Sequence, residues 1–188
     1  MRHILVIGAG RSSSTLISYL LKKSSTENFH VTVADLTLEL ATNKTQNHSN
    51  STAISLNIQD KKERIKYIQA ADLVISMLPA HMHMTVAKDC IEYSKNLVTP
   101  SYISTEMEAL DQKVREKNLI FLNETGLDPG IDHMSAMRVI DSIRDMGGKI
   151  LLFESFTGGL VAPEYDNNLW NYKFTWNPRN VVLAGQGG

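Results

Sequence analysis

Two glycines one residue apart, Gly8 and Gly10, stand directly after an apolar run, His3-Ile-Leu-Val-Ile7, and directly before a stretch with helical spacing. In a strand–turn–helix unit the first glycine permits a tight turn. The second lets backbone approach a pyrophosphate lying at the helix N-terminus. Ser13 occupies the place of the third glycine in the full dinucleotide fingerprint, where close helix–strand packing needs a small residue. Asp35 follows about 20 residues on, at the end of the next β-rich run, where a carboxylate can accept hydrogen bonds from ribose hydroxyls. Gly8, Gly10 and Asp35 are therefore candidate contacts for a nicotinamide dinucleotide. The competing explanation is a glycine turn of some other α/β protein, with Asp35 capping the helix that follows.

Two further segments sit where chemistry is expected. Ser76-Met-Leu-Pro79 closes one apolar run, and Pro100-Ser-Tyr102 follows another. In open parallel sheets ligands bind outside the carboxyl ends of the strands, which places both segments on the ligand-binding edge. For Ser101 and Tyr102 an ordinary helix-entry loop is the alternative. His81 and His83 form a His-x-His pair near a helix start. Without a third ligand nearby they are read as solvent-facing or capping residues, and no metal is expected. Cys90 lies in an apolar helical pattern and reads as core.

The elements that must position these residues alternate regularly. Strands are expected at 3–7, 30–34, 53–56, 72–76, 96–99 and 119–122, and helices at 12–23, 36–44, 61–70, 84–93 and 106–117. Parallel neighbours need long crossovers, so this alternation implies βαβ units and a Rossmann-type doubly wound parallel sheet. After Gly126 the character changes. A helix is expected over 132–146 and a strand over 149–157, followed by an aromatic-rich segment, Trp170 to Trp176. Residues 1–125 are accordingly read as a dinucleotide-binding domain, and 126–188 as the opening of a second domain.

Composition narrows the class. The 188 residues are 43% hydrophobic and 21% charged with a net charge of −1, the balance of a globular chain. That charge argues against a nucleic-acid surface. No apolar run approaches the ~18 residues of a membrane span, and Met1–Ile7 does not read as a signal peptide. A cytoplasmic location is expected, and a single cysteine cannot form an internal disulfide.

Several separated motifs then point in one direction. Asn123-Glu-Thr-Gly-Leu-Asp-Pro-Gly-Ile-Asp-His133, Gly158-Gly-Leu-Val-Ala-Pro-Glu164 and Tyr172-Lys-Phe-Thr-Trp176 resemble the signature segments of the glutamate-forming saccharopine dehydrogenases, also called saccharopine reductases. The resemblance extends back through Val98-Thr-Pro-Ser-Tyr102, Val74-Ile-Ser-Met-Leu-Pro79 and Gly8-Ala-Gly10, and so covers nearly the whole chain. It implies a Rossmann domain joined to a mixed α+β substrate domain. The implied reaction is reduction of the imine formed from aminoadipate semialdehyde and glutamate, or the reverse oxidation of saccharopine, within lysine metabolism.

By that resemblance Gly8, Gly10, Arg11 and Ser12 form the pyrophosphate turn, Leu127, Asp128 and Pro129 close over the nicotinamide half, and Thr175 stands where the family has a serine near the cofactor. Ser101 and Tyr102 match a Ser-Tyr pair at the substrate, with Tyr102 and Asp128 the candidates for proton transfer. NADP-using relatives carry an arginine after the second strand, where this chain has Leu36 behind Asp35. That substitution favours NAD, with Arg11 the rival that would favour NADP. The implied partner is a small amino-acid substrate, with a homodimer through the second domain possible. The family chain is longer, so a fragment without turnover is expected here. A related reductive-condensation enzyme such as carboxynorspermidine dehydrogenase, and a non-catalytic nucleotide-binding module, remain alternatives.

Overall fold

The structure, a computed structural model, describes residues 1–156 and 161–173. Six strands, β1 (Arg2–Ile7), β2 (Phe29–Asp35), β3 (Ser51–Ser55), β4 (Leu73–Ser76), β5 (Asn96–Val98) and β6 (Phe121–Leu122), form one sheet. The helices are α1 (Ser14–Ser24), α2 (Leu38–Thr45), α3 (Lys61–Ala70), α4 (His83–Glu92), α5 (Thr105–Glu108), α6 (Asp111–Glu116) and α7 (Ile131–Asp145). The sheet order is β3-β2-β1-β4-β5-β6 and all pairings are parallel. This is the doubly wound Rossmann arrangement, and its strand order reverses between β1 and β4.

Alternation along the strands explains both faces. Leu5 and Ile7 of β1 join Val74 and Leu97 in a core that includes Ile68 of α3 and Val86, Ala87 and Cys90 of α4. Val6 points the other way, with Val31, Val33 and Ile75, into a core completed by Ile17 and Leu21 of α1 and Ala41 of α2. A sheet covered on both faces needs continuous apolar strands, which is how β1 reads. Cys90 is fully buried, as its pattern implied, and burial pushes its thiol up to about 12.

Where elements depart from expectation, a local hydrogen bond accounts for it. α2 begins at Leu38 rather than 36 because the Asp35 carboxylate accepts the Thr37 N–H at 3.1 Å and holds the entry extended. The helix expected at 106–117 is two short ones, since Leu110 N–H bonds the Met107 carbonyl at 3.1 Å, an i−3 bond that tightens the chain between α5 and α6. α3 is as expected, and Asp60 caps it by accepting from the amides of Lys62 and Glu63. The strand expected over 149–157 is absent from its described part, 149–156, where Leu151 is 94% exposed. An apolar run forms a strand only against a ladder partner, and no described residue supplies one.

The chain divides into two compact units, Met1–Asp141 and Ser142–Gly188. The second, over its described residues, is held by turns. Asn168 donates to the Tyr172 carbonyl at 3.0 Å, and Lys173 to the Tyr165 carbonyl at 2.6 Å. Among the described residues no helix is long and apolar enough to cross a membrane.

The first unit contains a buried ion pair. The Arg64 guanidinium of α3 binds the Asp89 carboxylate of α4 and the Ile58 carbonyl, with both side chains 7% exposed. Removing one partner of such a pair strands a buried charge and costs about 3–5 kcal/mol. Asp89→Ala is therefore expected to lower stability by that order, and the paired Arg64→Met/Asp89→Leu variant by less. Denaturant unfolding measures both, and equal losses would show that the pair contributes only packing.

Candidate active site

The glycine turn is built by two different constraints. Gly8 has φ +108°, and a Cβ there would lie 2.8 Å from the Met77 carbonyl oxygen at the end of β4. Its N–H bonds the Ala34 carbonyl of β2 at 2.7 Å. Gly8 is thus required by the fold. Gly10 has extended backbone, φ −66° and ψ −175°, and a Cβ there would meet nothing within 4 Å. The protein makes no demand for glycine at position 10, which leaves room for a group from outside. Gly10 also opens a one-turn 3₁₀ helix, Arg11–Ser13, which no side chain caps, the kind of helix start at which backbone amides can receive an anion. Arg11 and Ser12 are exposed. Ser13 is fully buried, and its hydroxyl donates to the Gly10 carbonyl at 2.8 Å, so serine replaces the third glycine without an unsatisfied group.

Asp35 braces this turn. One carboxylate oxygen accepts the Ala9 N–H at 2.7 Å and the other accepts Thr37 N–H. Asp35 does not cap α2, whose N-cap is Thr37, and its carboxylate ties the end of β2 to the turn after β1. Leu36 beside it is 68% exposed.

The loop after β5 is stitched to the loop after β6. Thr125 donates through its hydroxyl and its amide to the Thr99 carbonyl, at 3.0 and 3.3 Å. Glu124 N–H bonds the Ser101 carbonyl at 3.0 Å, and the Glu124 carboxylate accepts the Ile103 N–H at 3.0 Å. These bonds bring Tyr102 and Asp128 together. The Tyr102 hydroxyl donates to Asp128 Oδ1 at 2.8 Å, with the ring 64% exposed. The hydrogen bond to the Asp128 carboxylate, which ionisation would break, raises the phenol above its ordinary value, and partial burial and the carboxylate's charge add to it. Tyr102 therefore holds its proton and acts as a donor. Asp128 and Pro129 are joined by a cis peptide, within a turn closed by Gly126 N–H on the Pro129 carbonyl at 2.8 Å. Leu127 is exposed and Pro129 buried. Thr175 lies outside the described residues.

One group was misread from sequence. His83 is neither solvent-facing nor a cap: it is 3% exposed, with Nδ1 2.8 Å from Ser76 Oγ and Nε2 2.8 Å from Ser101 Oγ. Burial, and then the charge of His81, lower it to about 4, so it is neutral at physiological pH. Ser76 and Ser101 had each been placed at a strand end, but residues 25 positions apart give no local sign that one histidine joins them.

The sequence and the fold match known proteins. The saccharopine dehydrogenase NADP binding domain model matches residues 4–122, and the saccharopine dehydrogenase C-terminal domain model matches 126–188. The chain belongs to the saccharopine dehydrogenase family. It is 39% identical to a saccharopine dehydrogenase [NADP(+), L-glutamate-forming] of Pyricularia oryzae, over 97% of this chain and 40% of that protein. It is 38% identical to an alpha-aminoadipic semialdehyde synthase of Arabidopsis thaliana, over 97% of this chain and 19% of that one. The solved apo saccharopine dehydrogenase (L-Glu forming) from Saccharomyces cerevisiae superposes with a TM-score of 0.82 at 36% identity, covering 98% of this chain and 40% of that one. The chain thus spans less than half the length of these relatives.

Two predictions separate fold from site. Gly8→Ala is expected to destabilise the domain, whereas Gly10→Val leaves the unfolding midpoint unchanged and abolishes dinucleotide binding. Thermal unfolding and calorimetry on the two variants test this, and normal binding by Gly10→Val would remove the turn as the phosphate site. The Tyr102 phenol is expected to titrate above the ordinary tyrosine range and to return toward it in Asp128→Asn. Ultraviolet difference absorbance across alkaline pH reads the shift directly.

Proposed function

We propose that this chain supplies the dinucleotide site and part of the substrate site of an oxidoreductase interconverting saccharopine with aminoadipate semialdehyde and glutamate. The observation that carries the cofactor half is Gly10, a glycine with open space where a Cβ would stand, at the uncapped start of a helix on the edge where the strand order reverses. The names and matched segments of the relatives support the substrate half. The division at 125/126 and dimerisation through 126–188 belong to the same proposal. So do the cytoplasmic location and the lysine-metabolism role, both read from the sequence.

When bound, the dinucleotide exchanges a hydride with the carbon that carries the substrate nitrogen. The turn amides and Arg11 bind its pyrophosphate, with Gly8, Ser13 and Asp35 holding the turn in shape. Leu127, Asp128 and Pro129 border the nicotinamide half, and Thr175 is assigned to the cofactor by family pattern alone. Ser101 and Tyr102 take the substrate. Tyr102 keeps a proton on its hydroxyl, and Asp128 fixes its direction. Loss of water from a carbinolamine needs the departing oxygen protonated, which Tyr102 does only by turning its hydroxyl from Asp128 to that oxygen.

For the dinucleotide we favour NADP, since the family model and the relatives' names carry it and both Asp35 oxygens are already engaged by backbone amides. NAD is the second reading. A carboxylate at position 35 opposes a 2′-phosphate, and exposed Leu36 offers that phosphate no cation. Arg11 decides between them: turned to a 2′-phosphate instead of the pyrophosphate, its guanidinium contributes about 1.5–3 kcal/mol, tenfold or more in affinity. Calorimetry at matched ionic strength should give tighter NADP than NAD, with the difference lost in Arg11→Ala. Tighter NAD would return the choice to Asp35. With only part of the substrate site present, saccharopine oxidation, followed as reduced-nicotinamide absorbance, is expected to stay at background in this chain, and robust turnover would show the substrate site to be complete.

A further inference from the structure

The Ser76–His83–Ser101 chain lies in the Rossmann core beneath the loop that carries Ser101 and Tyr102, and the reaction as described above makes no use of His83. Its three members come from three places: the end of β4, the first turn of α4, and the loop after β5. A neutral imidazole has one N–H and one bare nitrogen, so two arrangements are open. In the first, Nδ1–H donates to Ser76 and Nε2 accepts the Ser101 proton. In the second, Ser76 donates to Nδ1 and Nε2–H donates to Ser101.

Burial distinguishes them. Ser76 is fully buried, and His83 is the hydrogen-bond partner of its hydroxyl among the described residues. In the first arrangement Ser76 receives a proton and must aim its own at a partner that the described residues do not provide. A buried hydroxyl proton without an acceptor is costly, and buried polar groups are almost always paired. In the second arrangement the Ser76 proton is spent on Nδ1 and nothing buried is left over. Ser101 is only half-buried, so its own proton can be given to a ligand or to water. His83 is neutral, which the two-serine arrangement requires.

We propose that His83 is a positioning residue, held as the Nε2–H tautomer by Ser76, which keeps the Ser101 hydroxyl a hydrogen-bond donor for a substrate oxygen such as an amino-acid carboxylate. A serine held the other way would present only lone pairs and would repel that oxygen. The choice is made at Ser76, deep in the sheet, and expressed at Ser101 on its edge. Position 83 thereby sets the sign of a contact in which it takes no direct part. The assignment of the acceptor to a substrate carboxylate rests on the proposed function; the tautomer does not.

Nitrogen-15 NMR of the imidazole in the ligand-free chain tests this. At neutral pH, Nε2 is expected to carry the protonated-type shift and Nδ1 the bare-nitrogen shift. Ser101→Ala should move the Nε2 resonance and Ser76→Ala the Nδ1 resonance. An Nδ1–H tautomer, an imidazolium, or resonances indifferent to both serines would overturn the proposal. A second measurement is saccharopine affinity by calorimetry with NADP⁺ present. His83→Gln keeps one donor and one acceptor and should bind within a few-fold of the parent. His83→Phe should lose about tenfold or more, as should Ser101→Ala, and the double variant no more than either. Equal loss in the Gln and Phe variants would overturn the relay. A parent chain with no saccharopine affinity would count against the proposed function and leave the spectrum to decide the tautomer.

Discussion

A close approach on which the site depends is between Gly8 and the carbonyl of Met77, one at the exit of β1 and the other at the exit of β4. These two strands are neighbours in space with β2, β3 and their helices between them in sequence. Their chains part there to opposite faces of the sheet, as the reversal of strand order requires. A side chain at position 8 would push the strand ends apart. Gly8 can also take the positive φ that turns the chain sharply from strand to helix. The crevice, the uncapped turn at Gly10 and the direction of α1 all follow from that one contact.

Asp35 and Ser13 show how the turn is then secured. The carboxylate reaches from β2 to the Ala9 amide, and the buried serine hydroxyl returns to the Gly10 carbonyl. Both use polar groups to hold backbone that cannot pair within a strand or helix. The turn is therefore shaped by hydrogen bonds among the protein's own residues. Preorganisation of this kind reduces what binding must spend on ordering the loop.

On the other side of the crevice the same principle operates through loops. The segments after β5 and β6 are joined by Thr99, Thr125 and Glu124, and that stitching presents Tyr102 to Asp128 and Ser101 to His83. A tyrosine whose phenol is raised by a neighbouring carboxylate keeps its proton and is a hydrogen-bond donor, and a histidine lowered by burial is a fixed dipole instead of a base. Two titratable groups close to the same loop are thus driven to opposite uses by their surroundings.

The strands, most of the helices and the glycine turn were legible in the sequence because they depend on near neighbours: alternation, helical spacing, and glycine between a strand and a helix. Tyr102 and Asp128 were each marked by motif, but that they touch was not, since contact between residues 26 apart depends on β5 and β6 being adjacent in the sheet. His83 was misread because its neighbours along the chain look like a solvent-facing turn, while its true surroundings come from β4 and the loop after β5. The apolar run at 149–156 was misread for the converse reason: its pattern suits a strand, but a strand exists only with a partner. Local residue type decided what each segment can form, and the strand order decided which segments meet, because hydrogen bonds and burial between distant residues exist only once the sheet has assembled.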